Sequence, residues 1–152
     1  MDRPIYLTKA AFDVLLANLL EIEEGLNEII DEFFSKPSPE TESLKSLLNE
    51  YVRRVDSVLP SVVTDANAAN DFPYVVIGGE VVVEETGSGE TYCYHLVLPQ
   101  NNGIGFSDIS ILSPMGKTLL LKRVNDRFIV KAPGGDYEYK VVSIKIAADS
   151  QT

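Results

Sequence analysis

"ISILSPMGKTLLLKRVNDRFIVKAPGGDYEYKVVSIK", residues 109–145, decides how this chain is read. ISIL (109–112), RFIVKA (127–132) and YEYKVVSIKI (137–146) are rich in β-branched and aromatic residues and read as strands. PGGD joins the last two as a turn whose glycines can take positive φ. SPMGKTLLLKR (113–123) interrupts the strand pattern and has room for one short helix. Moving towards the N-terminus, TYCYHLVLP (91–99) and YVVIGGEVVVEE (74–85) add two more strands around an ETGSGE turn. A small, mostly antiparallel sheet folded on one short helix makes a compact α+β unit.

Residues 61–73, SVVTDANAANDFP, are small and polar and read as a linker. Before them the period changes. Phe12, Leu15, Leu19, Ile22, Leu26, Ile29 and Phe33 alternate spacings of three and four, as the seam of a coiled coil does. Leu44, Leu48, Tyr51, Val55 and Val58 continue the theme in a second segment. Thr8 caps the first helix; Ser38, with Pro39 and Glu40 after it, opens the second, and Pro60 ends it. A turn this short forces the two seams antiparallel. The first arm, residues 8–34, is about 40 Å long at 1.5 Å per residue. The expected organisation is a helical hairpin over residues 1–66 followed by a β-rich domain over 67–152.

The chain has 152 residues, enough for one domain or two small ones. Its net charge of −10 is uneven: residues 1–70 hold 13 acids against 6 bases, and the remainder 10 against 7. Such a front half is unsuited to wrapping duplex DNA, so no sequence-specific DNA binding is expected. It suits a basic partner surface, or solubility alone. No apolar run reaches bilayer length, and Met1 running into DRPIYLT reads as a mature start. The lone Cys93 precludes an internal disulfide and points to a cytoplasmic setting. Cys93 and His95 are too few for zinc, and nothing completes a nucleophilic triad around them. Both read as packing residues of a strand.

In the opening stretch, Ser113-Pro114, Asp126 and Pro133-Gly134-Gly135 stand in an order and spacing that resembles the C-terminal domain of the bacterial Gre transcript-cleavage factors. IYLTKAAFDVLLANLLEIEE (5–24) resembles the Gre N-terminal helix, with Thr8 at its start. The MDRP opening, LVLPQ (96–100) and LKRVND (121–126) are more similar to the related Rnk proteins. The resemblance covers most of the chain and places it in the Gre/Rnk superfamily, subfamily open.

That resemblance implies an FKBP-like fold for the back half, docked at the mouth of the RNA polymerase secondary channel with the hairpin passing down it. Ser113, Pro114, Met115 and Gly116 fall on the docking loop. Leu121 stands where the family often has Gly, and Asn125 precedes Asp126 where Gly is frequent; Asn tolerates the left-handed conformation that position needs. In Gre proteins, acids at the hairpin tip help hold a catalytic Mg²⁺ in the polymerase. The corresponding acids here are Asp31, Glu32, Glu40 and Glu42 around SKPSP. Glu40 and Glu42 sit where a helix start favours negative charge in any case. Asp31 and Glu32 extend an unrelieved acidic run from Glu21 that suits a basic wall. The turn lacks the Asp-x-x-Glu-Asn type motif of Gre tips, and the hairpin looks two or three turns shorter, about 10–16 Å. The expectation is therefore a polymerase-binding regulator, not itself an enzyme, with no cofactor beyond the polymerase's shared Mg²⁺. Whether it stimulates cleavage or only occupies the channel stays open. A peptidyl-prolyl isomerase, or an acidic hairpin adaptor for another basic protein, are the alternatives.

Overall fold

A computed structural model describes residues 4–33, 38–99 and 107–146, apart from the side chains of Leu26, Asn27, Ile29, Ile30, Glu32, Phe33 and Ala132. The seam positions Leu26, Ile29 and Phe33, the tip acid Glu32 and the turn 34–37 therefore lie outside the described side chains. The described chain runs β1 (Ile5–Leu7), α1 (Lys9–Phe33), α2 (Pro39–Val58), a 3₁₀ turn (Leu59–Ser61), β2 (Val62–Thr64), β3 (Gly79–Glu85), β4 (Thr91–Val97), β5 (Asp108–Ser110), α3 (Pro114–Leu119), β6 (Arg127–Ala132) and β7 (Gly135–Ile146).

The α+β fold with a helical N-terminal part is the one expected. Both caps act as the sequence implies. Thr8 Oγ1 accepts from the Ala11 N–H at 3.2 Å, and Ser38 Oγ accepts from the Thr41 N–H at 3.2 Å with Pro39 opening the helix. Leu15, Leu19 and Ile22 of α1 and Leu44, Leu48, Tyr51 and Val55 of α2 are buried along the facing seams. Ala11 joins them as an additional buried position one turn before Leu15.

The five main strands lie in the order β5-β4-β3-β7-β6. All neighbours are antiparallel except β4 and β5, which run parallel, so the sheet is mixed rather than wholly antiparallel. A hairpin joins only antiparallel strands; the ten-residue connection from β4 to β5 allows the parallel pairing. In β7 a bulge changes which face is apolar. Val82 pairs with Ser143 but Val83 pairs with Val141, so Val142 is extra and turns outward, 43% exposed. Val141 and Ile144 are consequently buried on one face although three residues apart.

The supposed linker is structured. Ile5–Leu7 and Val62–Thr64 form a separate two-stranded parallel sheet, and the Asp65 N–H donates to the Leu7 carbonyl at 2.8 Å. Residues 70–72 tie to the end of β7, through Phe72 N–H to the Ile144 carbonyl and Ile146 N–H to the Asn70 carbonyl. Three-residue strands are too short to show a period, which is why composition alone reads this segment as loop. The stretch before β3 is also not a strand in the main sheet. Val75 instead exchanges backbone hydrogen bonds with Leu121 and Lys122, after α3.

These joins place the helices and the sheet around one apolar core. Tyr51 of α2 is fully buried, and its hydroxyl accepts from the Ile77 N–H at 3.1 Å. Tyr74 donates its hydroxyl to the Arg54 carbonyl at 3.0 Å, while the Arg54 guanidinium lies 5.0 Å from the centre of the Tyr74 ring. Gly78, at φ 91°, lets the backbone approach α1; a Cβ there would lie 2.8 Å from both Val14 and Asn18 side chains.

Burial holds the Tyr51 phenol far above its ordinary 10.0 and pushes Tyr74 up to about 12, with Arg54 and Arg123 opposing the latter shift. Both phenols ionise near 10 once unfolded, so above that pH the folded state retains more protons and stability falls as pH rises. Urea denaturation at about pH 9 and about pH 11 should show that loss. Tyr51→Phe should lower stability by about 1–3 kcal/mol near neutral pH, because it leaves the Ile77 N–H buried without a partner, and should flatten the alkaline decline.

Candidate docking surface

The SP turn is built by a short chain of hydrogen bonds. Ser113 is extended at φ −71° and ψ 156°, and its Oγ accepts from the Gly116 N–H at 3.0 Å, capping α3. The same hydroxyl donates to the Ser110 carbonyl at 2.7 Å. Ser110 Oγ in turn accepts from the Leu112 N–H at 3.0 Å, so the end of β5 and the start of α3 are locked together. Pro114 needs no donor at the first helical position and is exposed. Met115 is half-buried and packs on the core. Gly116 is buried, and a Cβ there would collide with the Ser110 carbonyl. Of the four residues expected on the docking loop, Pro114 is presented outward while Ser113 and Gly116 shape the turn.

After α3, Leu121 is left-handed at φ 71° and Asn125 at φ 76°. The first is a position suited to Gly: a Leu held in that region carries strain of about 1–2 kcal/mol. The second turn closes because the Arg123 N–H donates to Asp126 Oδ2 at 2.8 Å and the Asn125 N–H to the Val141 carbonyl at 2.8 Å. Pro133-Gly134 then links β6 to β7, with Ala132 opposite Gly135.

The described tip acids, Asp31, Glu40 and Glu42, are not gathered into a metal site. Glu40 and Glu42 lie exposed in the first turn of α2, with Glu42 Oε2 3.9 Å from Lys45 Nζ. Asp31 is exposed near the end of α1. Among the described residues, no three His, Cys, Asp or Glu side chains are placed to share a metal ion. A crevice of about 350 Å³ separates Pro39, Ser43 and Leu47 from Lys117, so the start of α2 stands beside α3.

Cys93 is exposed and not a packing residue, because β4 turns that face to solvent. Its thiol is pushed up by partial desolvation against the neighbouring strands and by the charge of Glu80, which disfavours a nucleophilic thiolate. His95 has a partner that the sequence reading missed. Its Nδ1 lies 2.9 Å from Asp108 Oδ1, across the parallel β4–β5 pair. Only that pairing brings together residues 13 apart, so no local pattern marks it.

Residues 70–146 match the family model for the transcription elongation factor GreA/GreB C-terminal domain. The chain belongs to the GreA/GreB family. It is 40% identical over 91 residues to the transcription elongation factor GreB of Xanthomonas axonopodis pv. citri, covering 60% of this chain and 51% of that protein. It is 26% identical over 152 residues to the transcription elongation factor GreA of Thermosipho africanus, covering 93% and 97% respectively. In the matches of higher identity the chain spans about half the length of the relative, 51% and 44% in two of them. A prokaryotic transcription elongation factor GreA/GreB structure from Nitrosomonas europaea shares the fold, with a TM-score of 0.53 at 21% identity over 95% of this chain and 99% of that one. No helix among the described residues is long and apolar enough to cross a membrane.

Gly116→Ala should cost about 1–3 kcal/mol in chemical denaturation, since the Ser110 carbonyl cannot yield without breaking the β5–α3 junction. Ser113→Ala should cost about 0.5–2 kcal/mol by removing the cap.

Proposed function

We propose that this chain is a regulator of transcription elongation that binds RNA polymerase at the secondary channel, docking through the α3 turn at Pro114 with the hairpin directed inward. The observation that carries the reading is the family match over residues 70–146, which contains the whole Ser113-capped turn. The proteins it is similar to are named as transcription elongation factors, which favours this role over a prolyl isomerase or a general adaptor. An exposed proline on a rigid turn gives a partner a preorganised apolar contact with little ordering entropy to lose.

Within this role we favour a channel occupant over a cleavage stimulator. A lent carboxylate must reach the metal to within bonding distance, about 2.0–2.1 Å for Mg²⁺. Glu40 and Glu42 are already accounted for by the electrostatics of a helix start, and Asp31 is exposed, with no metal-binding cluster of acids among the described residues. The proposed role requires no catalysis and no cofactor of the chain's own. The exposed acids Glu23, Glu24, Glu28 and Asp31 along α1 give the hairpin a negative side suited to a basic channel wall.

Two measurements test this. Core RNA polymerase should co-purify with the intact chain, and Pro114→Asp should reduce the bound fraction about tenfold by forcing a desolvated carboxylate into the contact. Unchanged binding would move the interface elsewhere. Stalled elongation complexes should keep their transcript length when the protein is added; shortened RNA would establish a cleavage factor instead.

A further inference from the structure

The face of the sheet that carries the core runs on past the buried residues, and there it becomes aromatic and acidic. Along β4 towards its start, Leu96 is buried, Tyr94 is half-buried and Tyr92 is 37% exposed. Along β7 towards its start, Val141 is buried, Tyr139 half-buried and Tyr137 38% exposed. The registers Val81 to Tyr94, Val83 to Tyr92 and Glu85 to Tyr139 put both series at the same end of the same face. The rings are ordered. Tyr92 and Tyr94 stack at 6.4 Å between centroids, and Tyr139 stacks on Phe128 at 5.6 Å.

Carboxylates accompany these rings. Tyr92 donates its hydroxyl to Glu90 Oε1 at 2.8 Å, and Glu85, opposite Tyr139, accepts from Ser88 Oγ at 3.1 Å. Tyr92 is pushed up to about 12, first by the hydrogen bond to Glu90, then by burial and by the charges of Glu90 and Glu85. Tyr139 is raised by burial and by Glu85. The cations of these strands are on the other face. Arg127, Lys131 and Lys140 alternate with Phe128, Val130 and Tyr139, and Arg127 pairs with Lys140 in register.

Tyrosine faces attract cations through the ring quadrupole, and nearby carboxylates add to that attraction. A nucleic acid is the wrong match, since its phosphates would meet Glu85 and Glu90, and the described cations of β6 and β7 lie on the other face. We propose that the Tyr92, Tyr94, Tyr137 and Tyr139 face, with Glu85 and Glu90, is a docking site for an extended basic segment of a partner protein, whose Lys or Arg side chains seat over the rings. The site is separate from the Pro114 turn. Tyr92 lies five residues before Val97, which pairs with Ser110, about 17 Å along β4. It does not depend on the elongation-factor reading.

The chain has no Trp, and four of its seven tyrosines lie on this face, so a change in tyrosine emission is read together with the position of NMR shifts. A synthetic peptide of alternating Lys and Ala, titrated into the intact protein, should quench that emission saturably. In ¹⁵N-resolved NMR spectra it should shift the amides of residues 85, 90–94 and 137–139. The Glu85→Gln/Glu90→Gln double variant should bind about fivefold or more weakly, and so should Tyr92→Ser/Tyr137→Ser, whose replaced rings are exposed and leave the core intact. The proposal is overturned if nothing binds, if the shifts fall on the α1 acids, or if the glutamine variant binds unchanged. It is equally overturned if a neutral proline-rich peptide or an oligodeoxythymidine binds as tightly as the basic peptide.

Discussion

The architecture depends on one buried polar contact, the Tyr51 hydroxyl accepting from the Ile77 N–H. Ile77 precedes a glycine pair that turns the chain into β3, and its amide has no strand partner there. Left unpaired in an apolar interior, such a group is costly. Tyr51 meets it from α2, so the helix must sit in one place relative to the sheet for the core to be closed. The Tyr74–Arg54 contact one turn further along α2 and the approach of Gly78 to α1 act in the same direction. Three contacts of different chemistry thus set one helix-to-sheet geometry.

From that frame the candidate docking turn inherits its rigidity. Ser110 ends β5, and Ser113 both holds its carbonyl and caps α3. The His95–Asp108 pair secures the other end of β5 to β4. A three-residue strand would be marginal alone. Anchored at both ends, it carries Pro114 outward on a fixed backbone, with Met115 packed beneath.

Much of this was legible from local pattern. The heptad spacing from Phe12 to Ile22, the Ser38-Pro39 start and the Pro133-Gly134-Gly135 turn each state their structure within a few residues. Cys93 was misread as packing because a period of two shows which residues share a face but not which face is covered. The β7 bulge was invisible for a related reason. Val141 and Val142 are chemically identical, and only the pairing with β3 decides which of them is inside.

The sequence by itself determined the helices, their caps, the turns and the SP and PGG motifs that place the chain in its family, since all of these depend on neighbours within about one turn. Tertiary structure alone decided the parallel β4–β5 pair, the small β1–β2 sheet that orders the apparent linker, the His95–Asp108 contact and the gathering of tyrosines at one end of the sheet. Those features join residues far apart in the chain, where the energy of pairing depends on register and burial rather than on the identity of adjacent residues.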